Sequence, residues 1–134
     1  MIAEMDHIVL NAEDVETALA FYVDVLQLAP ERVEAFHRGE APFPSVRLNP
    51  ATIIDFFPKA MWVESTSPGP GHENLNHFCI TLSRADWDAL QARLAAHDVA
   101  IEVGPVPRWG ARGVATSIYF RDAEGTLVEA RTYP

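Results

Sequence analysis

Four side chains able to bind a cation stand at repeating places in this 134-residue chain: His7, Asp55, His77 and Glu129. His7 and His77 are each the third residue of a short strand-like run, MDHIVL and LNHFCITL. Each carboxylate lies in a later run, TIIDFFP for Asp55 and TLVEART for Glu129, 48 residues after His7 and 52 after His77. Two imidazoles with one or two carboxylates are a common donor set for Fe(II), Mn(II), Ni(II), Co(II) or Zn(II). Three protein ligands leave positions for water and substrate, where the ion polarises a carbonyl or stabilises an enolate. Taken singly, each residue has a plainer reading. A strand histidine is usually hydrogen-bonded or at the surface, and a strand-end glutamate is usually solvated. A carboxylate among apolar neighbours, as at Asp55, is costly unless partnered. The joint placement carries the metal reading.

Other residues bear on the same chemistry. Cys79 shares a strand face with His77, where it either lines a cavity or packs. The segment GPVPRWGARG (104–113) surrounds Trp109 with Arg108 and Arg112. It reads either as a lid gripping an anionic group or as a solvated hairpin loop. Trp62, with Phe57 and Lys59, is a candidate for the same mouth. His37, His72 and His97 fall at a strand end, in a linker and at a helix end, and are weaker candidates.

The elements that must position these residues form one pattern written twice. A strand at 5–10 puts Ile8 and Leu10 on one face and His7 and Val9 on the other. Asn11 or Asp14 caps a helix whose stripe is Val15, Leu19, Tyr22 and Leu26, widened by Ala18 and Val25. Pro30 stops it, and strands are expected near 32–38, 43–49 and 51–57. The second copy opens with a strand at 75–82, where Phe78, Ile80 and Leu82 oppose His77, Cys79 and Thr81. Ser83 and Asp86 form a capping box before the stripe Trp87, Leu90, Leu94. Strands follow near 100–103, 114–120 and 126–132, with a tight turn at Asp122–Gly125. A Pro, Gly and Ser-rich linker, 63–74, separates module one (about 1–62) from module two (about 75–134) of a single domain. The sequence therefore predicts an α+β fold in which each sheet gives its apolar face to a helix and its polar face to a shared cavity.

A chain that is 49% hydrophobic has apolar residues enough for a core. Its net charge of −9 and pI of about 4.8 argue against nucleic acid and anionic membranes as partners. An anionic small substrate stays open, because a local pair of arginines overrides the global field. The single cysteine allows no internal disulfide. No signal segment or membrane-length apolar run is evident, so a cytoplasmic protein is expected.

Along nearly its whole length the sequence resembles the vicinal-oxygen-chelate superfamily of glyoxalases, bleomycin-resistance proteins and ring-cleaving dioxygenases. The resemblance lies in DHIVLNAEDVETALAFYVDVL, with Phe21, Tyr22, Val25 and Leu26 in the first helix. It continues in LNHFCITL and in VPRWGARGVATSIYFRDAEGTLVEAR, where Asp122-Ala123-Glu124-Gly125 stands for the usual Asp-Pro-Asp-Gly turn. The closing segment is most similar to bacterial members known only as glyoxalase-domain or virulence-associated proteins. The resemblance implies paired βαβββ modules cupped around one divalent ion held by His7, His77 and Glu129, with Asp55 in the slot of a fourth ligand. It also implies a homodimer, with the cup formed within one chain or between two. The expected function is that of a metal-dependent lyase, isomerase or dioxygenase acting on a small substrate through vicinal oxygens. Glu129 or Asp55 would serve as base, and Arg108, Trp109, Arg112, Trp62 and Cys79 would bind substrate. With Asp55 as a ligand, Ni, Co or Zn chemistry gains; without it, the 2-His-1-carboxylate set favours Fe(II) or Mn(II). The alternative is a metal-free protein that sequesters a cationic or aromatic ligand.

Overall fold

The computed structural model describes residues 2, 4–63, 75, 77–110 and 112–134, without the side chains at 109 and 110. The chain divides into two compact units, Met1–Pro68 and Gly69–Pro134. Each holds one four-stranded mixed sheet, which gives the α+β class that the sequence predicts. Val63 alone of the expected linker lies within the described residues; 64–74, with His72, lie outside them.

In the first unit, β1 (His7–Asn11) leads to α1 (Val15–Ala20), which runs on as a π-helical turn, Phe21–Val25. Asp14, not Asn11, caps α1: its carboxylate accepts from the Thr17 N–H at 3.1 Å. The π turn is closed by the Leu26 N–H on the Phe21 carbonyl at 3.3 Å. Its wider winding turns Phe21, Tyr22, Val25 and Leu26 all into the core. Then come β2 (Ala29–Glu31), α2 (Val33–His37), β3 (Ser45–Asn49), β4 (Thr52–Phe57) and α3 (Lys59–Trp62). The sheet order is β1-β4-β3-β2, with only β1 and β4 parallel. Ile54, Phe56 and Val46 are fully buried beneath Tyr22, whose ring centre lies 5.0 Å from that of Phe56.

The strand expected at 32–38 is absent, and a helix takes its place. Pairing with β3 ends at Glu31, and Arg32 adopts a left-handed conformation (φ 59°) that turns the chain into α2. Glu34 and Ala35 are good helix formers. The strand itself sits earlier, across Pro30, whose missing N–H is tolerated because β2 is the sheet edge.

The second unit repeats the order: β5 (Phe78–Thr81), α4 (Arg84–Ala96), β6 (Ile101–Gly110), β7 (Gly113–Arg121) and β8 (Leu127–Thr132), in sheet order β5-β8-β7-β6. Ser83 caps α4, accepting from the Asp86 N–H at 3.1 Å and donating to the Asp86 carboxylate at 2.8 Å. Trp87, Leu90 and Leu94 lie on Ile118, Phe120, Val128 and Ala130, all seven nearly sealed from solvent. Each buried Leu, Ile, Val or Phe among them contributes about 1.5–3 kcal/mol of hydrophobic stabilisation. The Trp87 indole N–H donates to the Ala130 carbonyl at 3.0 Å, which fixes helix on strand. The turn is as expected: Asp122 accepts from the N–H groups of Glu124 and Thr126 at 2.9 and 2.8 Å, and Gly125 takes φ 90°.

One expectation fails here. Much of 104–113 is not a loop but strand, since β6 continues to Gly110 and pairs with β7 as far as Gly113. Its two prolines fit because β6 is an edge strand with register shifts near Val103. Gly104 is required at φ 106°, where a Cβ would collide with the Ser117 carbonyl.

Candidate functional site

The strand registers place the predicted residues by parity. In the first sheet Val9 is opposite Asp55, and Ile8 is opposite Ile54. Ile54 therefore belongs to the helix face, and Asp55 lies on the face that carries His7. In the second sheet Cys79 is opposite Glu129 and Phe78 is opposite Val128, so Glu129 shares the face of Cys79. In both units the carboxylate stands across from the residue two places beyond the histidine.

The two carboxylates differ in what surrounds them. Asp55 is buried, and its Oδ1 accepts from the Ser45 hydroxyl at 2.5 Å and the Arg32 guanidinium at 3.0 Å. Arg32 delivers that guanidinium from a left-handed backbone, an unfavoured conformation for a bulky residue. His7 is exposed, and its Nδ1 pairs with Asp6 at 2.6 Å, which raises its pKa above the ordinary value. So the first unit gives His7 and Asp55 one face but separate partners.

The second unit brings its histidine and carboxylate together. His77 Nε2 lies 3.1 Å from Glu129 Oε2. The other oxygen, Oε1, accepts from the Ser117 hydroxyl at 2.6 Å and the Arg131 guanidinium at 2.7 Å. Glu129 and Arg131 are 3% and 4% exposed, so this ion pair is buried. Burial alone would raise the Glu129 pKa. The hydrogen bonds from Ser117 and Arg131, together with the arginine's charge, outweigh it and hold the carboxyl below its ordinary range. The same contacts, with Tyr133, raise the Arg131 pKa against desolvation.

Two tyrosines complete this face. Tyr119 stands opposite Glu129 in the register. Its ring meets the His77 ring edge-on at 5.6 Å, and the Arg108 guanidinium lies over the Tyr119 ring at 6.0 Å. Desolvation, then the Glu129 charge, raise the Tyr119 pKa. Tyr133 accepts at its hydroxyl from the Arg112 backbone N–H at 3.0 Å and from Arg131 at 3.4 Å, which lower its pKa. Cys79 is exposed overall, yet partial burial of its thiol and then the Glu129 charge push the pKa up to about 11. It is a poor nucleophile near neutrality.

The remaining candidates are dispersed. Trp62 in α3 spends its indole N–H on the Ala12 carbonyl at 3.1 Å, and Lys59 pairs with Glu13 at 2.9 Å. The Trp109 side chain lies outside the described residues. Among the described residues no three His, Cys, Asp or Glu side chains form a group that could hold a metal ion.

A family model described as the Glyoxalase/Bleomycin resistance protein/Dioxygenase superfamily matches residues 4–130. The chain belongs to this superfamily. The virulence protein STM3117 of Salmonella typhimurium is 33% identical over 134 residues, covering 99% of this chain and 86% of that protein. Its crystal structure superposes with a TM-score of 0.79, covering 100% of this chain and 99% of that one, at 25% identity over the structural match. The lactoylglutathione lyase of Agrobacterium tumefaciens has the same fold, with a TM-score of 0.66 at 23% identity over 97% of this chain and 92% of that one.

Within this superfamily member, the sequence reading missed Ser45, Arg32, Ser117, Tyr119, Arg131 and Tyr133. For Arg131 a signal existed, since a residue two beyond Glu129 on one strand shares its face. Ser117 and Tyr119 needed the register of β7 on β8, which local pattern does not give.

Proposed function

We propose that this protein is a metal-dependent enzyme of glyoxalase or dioxygenase type, acting on a small oxygenated substrate. The observation that carries the reading is the 3.1 Å approach of His77 Nε2 to Glu129 Oε2. It is about the separation of neighbouring donors that share one ion at ~2.1 Å. These two donors suit such an ion: Ser117 and Arg131 occupy one carboxylate oxygen and leave the other beside the histidine. His7 is the third ligand in this reading. Asp55 is left out of this reading because, among the described residues, no histidine is bonded to it: the histidine on its own face, His7, pairs with Asp6. That leaves two histidines and one carboxylate, the set suited to Fe(II) or Mn(II). When bound, the ion supplies a Lewis acid for two adjacent substrate oxygens. The chain's own part is to orient Glu129, to place the Tyr119 hydroxyl beside it, and to present Arg108 at the border of the same face. The protein is expected to act as a cytoplasmic homodimer.

A second reading, a metal-free binding protein, is favoured by one observation. Both carboxylates are already neutralised by arginine. Elemental analysis of untagged protein separates the two. Wild type is expected to carry a divalent metal that is lost in both His7→Ala and His77→Ala. Wild-type protein without metal, and with no thermal shift on adding Mn(II), Fe(II), Ni(II) or Zn(II), would replace the enzyme by the binder.

A further inference from the structure

We infer that the polar face of the second sheet takes an oxyanion, a carboxylate or phosphate carried by the substrate, on Arg108 and Arg112. The inference rests on the reading of that face as the substrate face and names the class of substrate. Among the described residues, seven of the ten Lys and Arg are seen ion-paired with Asp or Glu. Arg108 and Arg112 have no carboxylate partner among the described residues, in a chain of net charge −9. Both flank the β6–β7 turn, and both are placed by a tyrosine. The Arg108 guanidinium lies over the Tyr119 ring at 6.0 Å, with one N–H on the Pro107 carbonyl at 3.0 Å. The Arg112 guanidinium lies over the Tyr133 ring at 4.2 Å.

A guanidinium held over an aromatic ring keeps N–H groups free at its edge; Arg112, at 4.2 Å, is close enough to stack, and Arg108, at 6.0 Å, is within cation–π reach. An edge held in this way matches two oxygens of a carboxylate or phosphate. The same tyrosines lie next to the candidate centre. Tyr119 is opposite Glu129 in the strand register and under the Arg108 guanidinium, and Tyr133 has Arg112 at 4.2 Å and Arg131 at 5.8 Å from its ring centre. Arg131 itself is committed to Glu129, and Arg93 belongs to helix α4, so Arg108 and Arg112 are the cations this face has left for a ligand. The edge-on pair of His77 and Tyr119 rings suits a planar substrate lying beside them.

Calorimetric titration with benzoate, phenyl phosphate and benzamide tests this. Benzoate or phenyl phosphate is expected to saturate the wild type at millimolar concentration while benzamide does not; which anion binds more tightly tells carboxylate from phosphate. Arg108→Met and Arg112→Met are each expected to weaken anion binding about tenfold. Arg121→Met, which removes a cation paired with Glu102, leaves it unchanged. No saturable anion binding, equal binding of the amide, or binding indifferent to both arginines overturns the inference. Metal content measured on the same variants keeps the two claims apart. A wild type that binds the anion but neither carries nor takes up metal defeats only the enzyme reading, and metal retained without anion binding defeats only this one.

Discussion

Replacing Arg131 by methionine strikes the centre of the second-unit network. Methionine keeps much of the stem and removes the guanidinium, which leaves a carboxylate that is 3% exposed without its cation. Breaking one side of a buried ion pair costs about 3–5 kcal/mol. For a chain of this size that corresponds to a fall of roughly 11–18 °C in melting temperature. The assay is thermal and urea unfolding of wild type, Arg131→Met, Glu129→Gln and the double variant. If the pair is coupled as the 2.7 Å contact implies, the double variant costs less than the sum of the singles by about 1.5 kcal/mol or more. The pH dependence has a fixed sign. Glu129 is held below its ordinary 4.5, so its stabilisation is complete above that value and is lost as pH falls through the lower folded-state value. The gap between wild type and Arg131→Met is therefore full at neutral pH and narrows on the acid side of 4.5. Additive single variants, or a gap that widens in acid, would refute the reasoning.

Three further outcomes are expected. Cys79 should react with iodoacetamide about a hundredfold more slowly than free cysteine at neutral pH, since its pKa is about 11 against an ordinary 9.0; a rate close to that of free cysteine counts against it. Gly104→Ala should cost about 2 kcal/mol or more in urea unfolding, because it sets a methyl against the Ser117 carbonyl at φ 106°. A neutral result would mean that β6 does not bend there. Trp87→Phe keeps an aromatic ring but removes the pyrrole part of the indole and leaves the Ala130 carbonyl without its 3.0 Å donor, and the lost bond should cost about 1–3 kcal/mol; Leu90→Ala serves as the packing comparison.

What the sequence made legible is local, and what it hid is not. Strand parity put His7 with Val9 on one face and His77 with Cys79 on another, because side chains alternate whatever the partner strand; that Asp55 and Glu129 join those faces took the registers of β4 on β1 and β8 on β5. The caps at Asp14 and Ser83 and the turn at Asp122 are written within a few residues of one another. The edge strands β2 and β6 were misread because each contains proline, and only sheet position decides whether a strand tolerates one. The site was half legible for the same reason. A histidine and a carboxylate at matching offsets suggest twin ligands, yet the copies diverge in the cation that meets each carboxylate. Arg32 reaches Asp55 from a strained corner after an edge strand, and Ser45 joins it on the same oxygen. Arg131 reaches Glu129 along its own strand, binds the oxygen that Ser117 also binds, and leaves the other beside His77. The repeat thus supplies two equivalent scaffolds and one asymmetric pair of carboxylates. Asp55 is tied into its sheet and Glu129 is turned toward a histidine, so the chemistry proposed for this fold depends on the second copy more than the duplicated pattern alone implies.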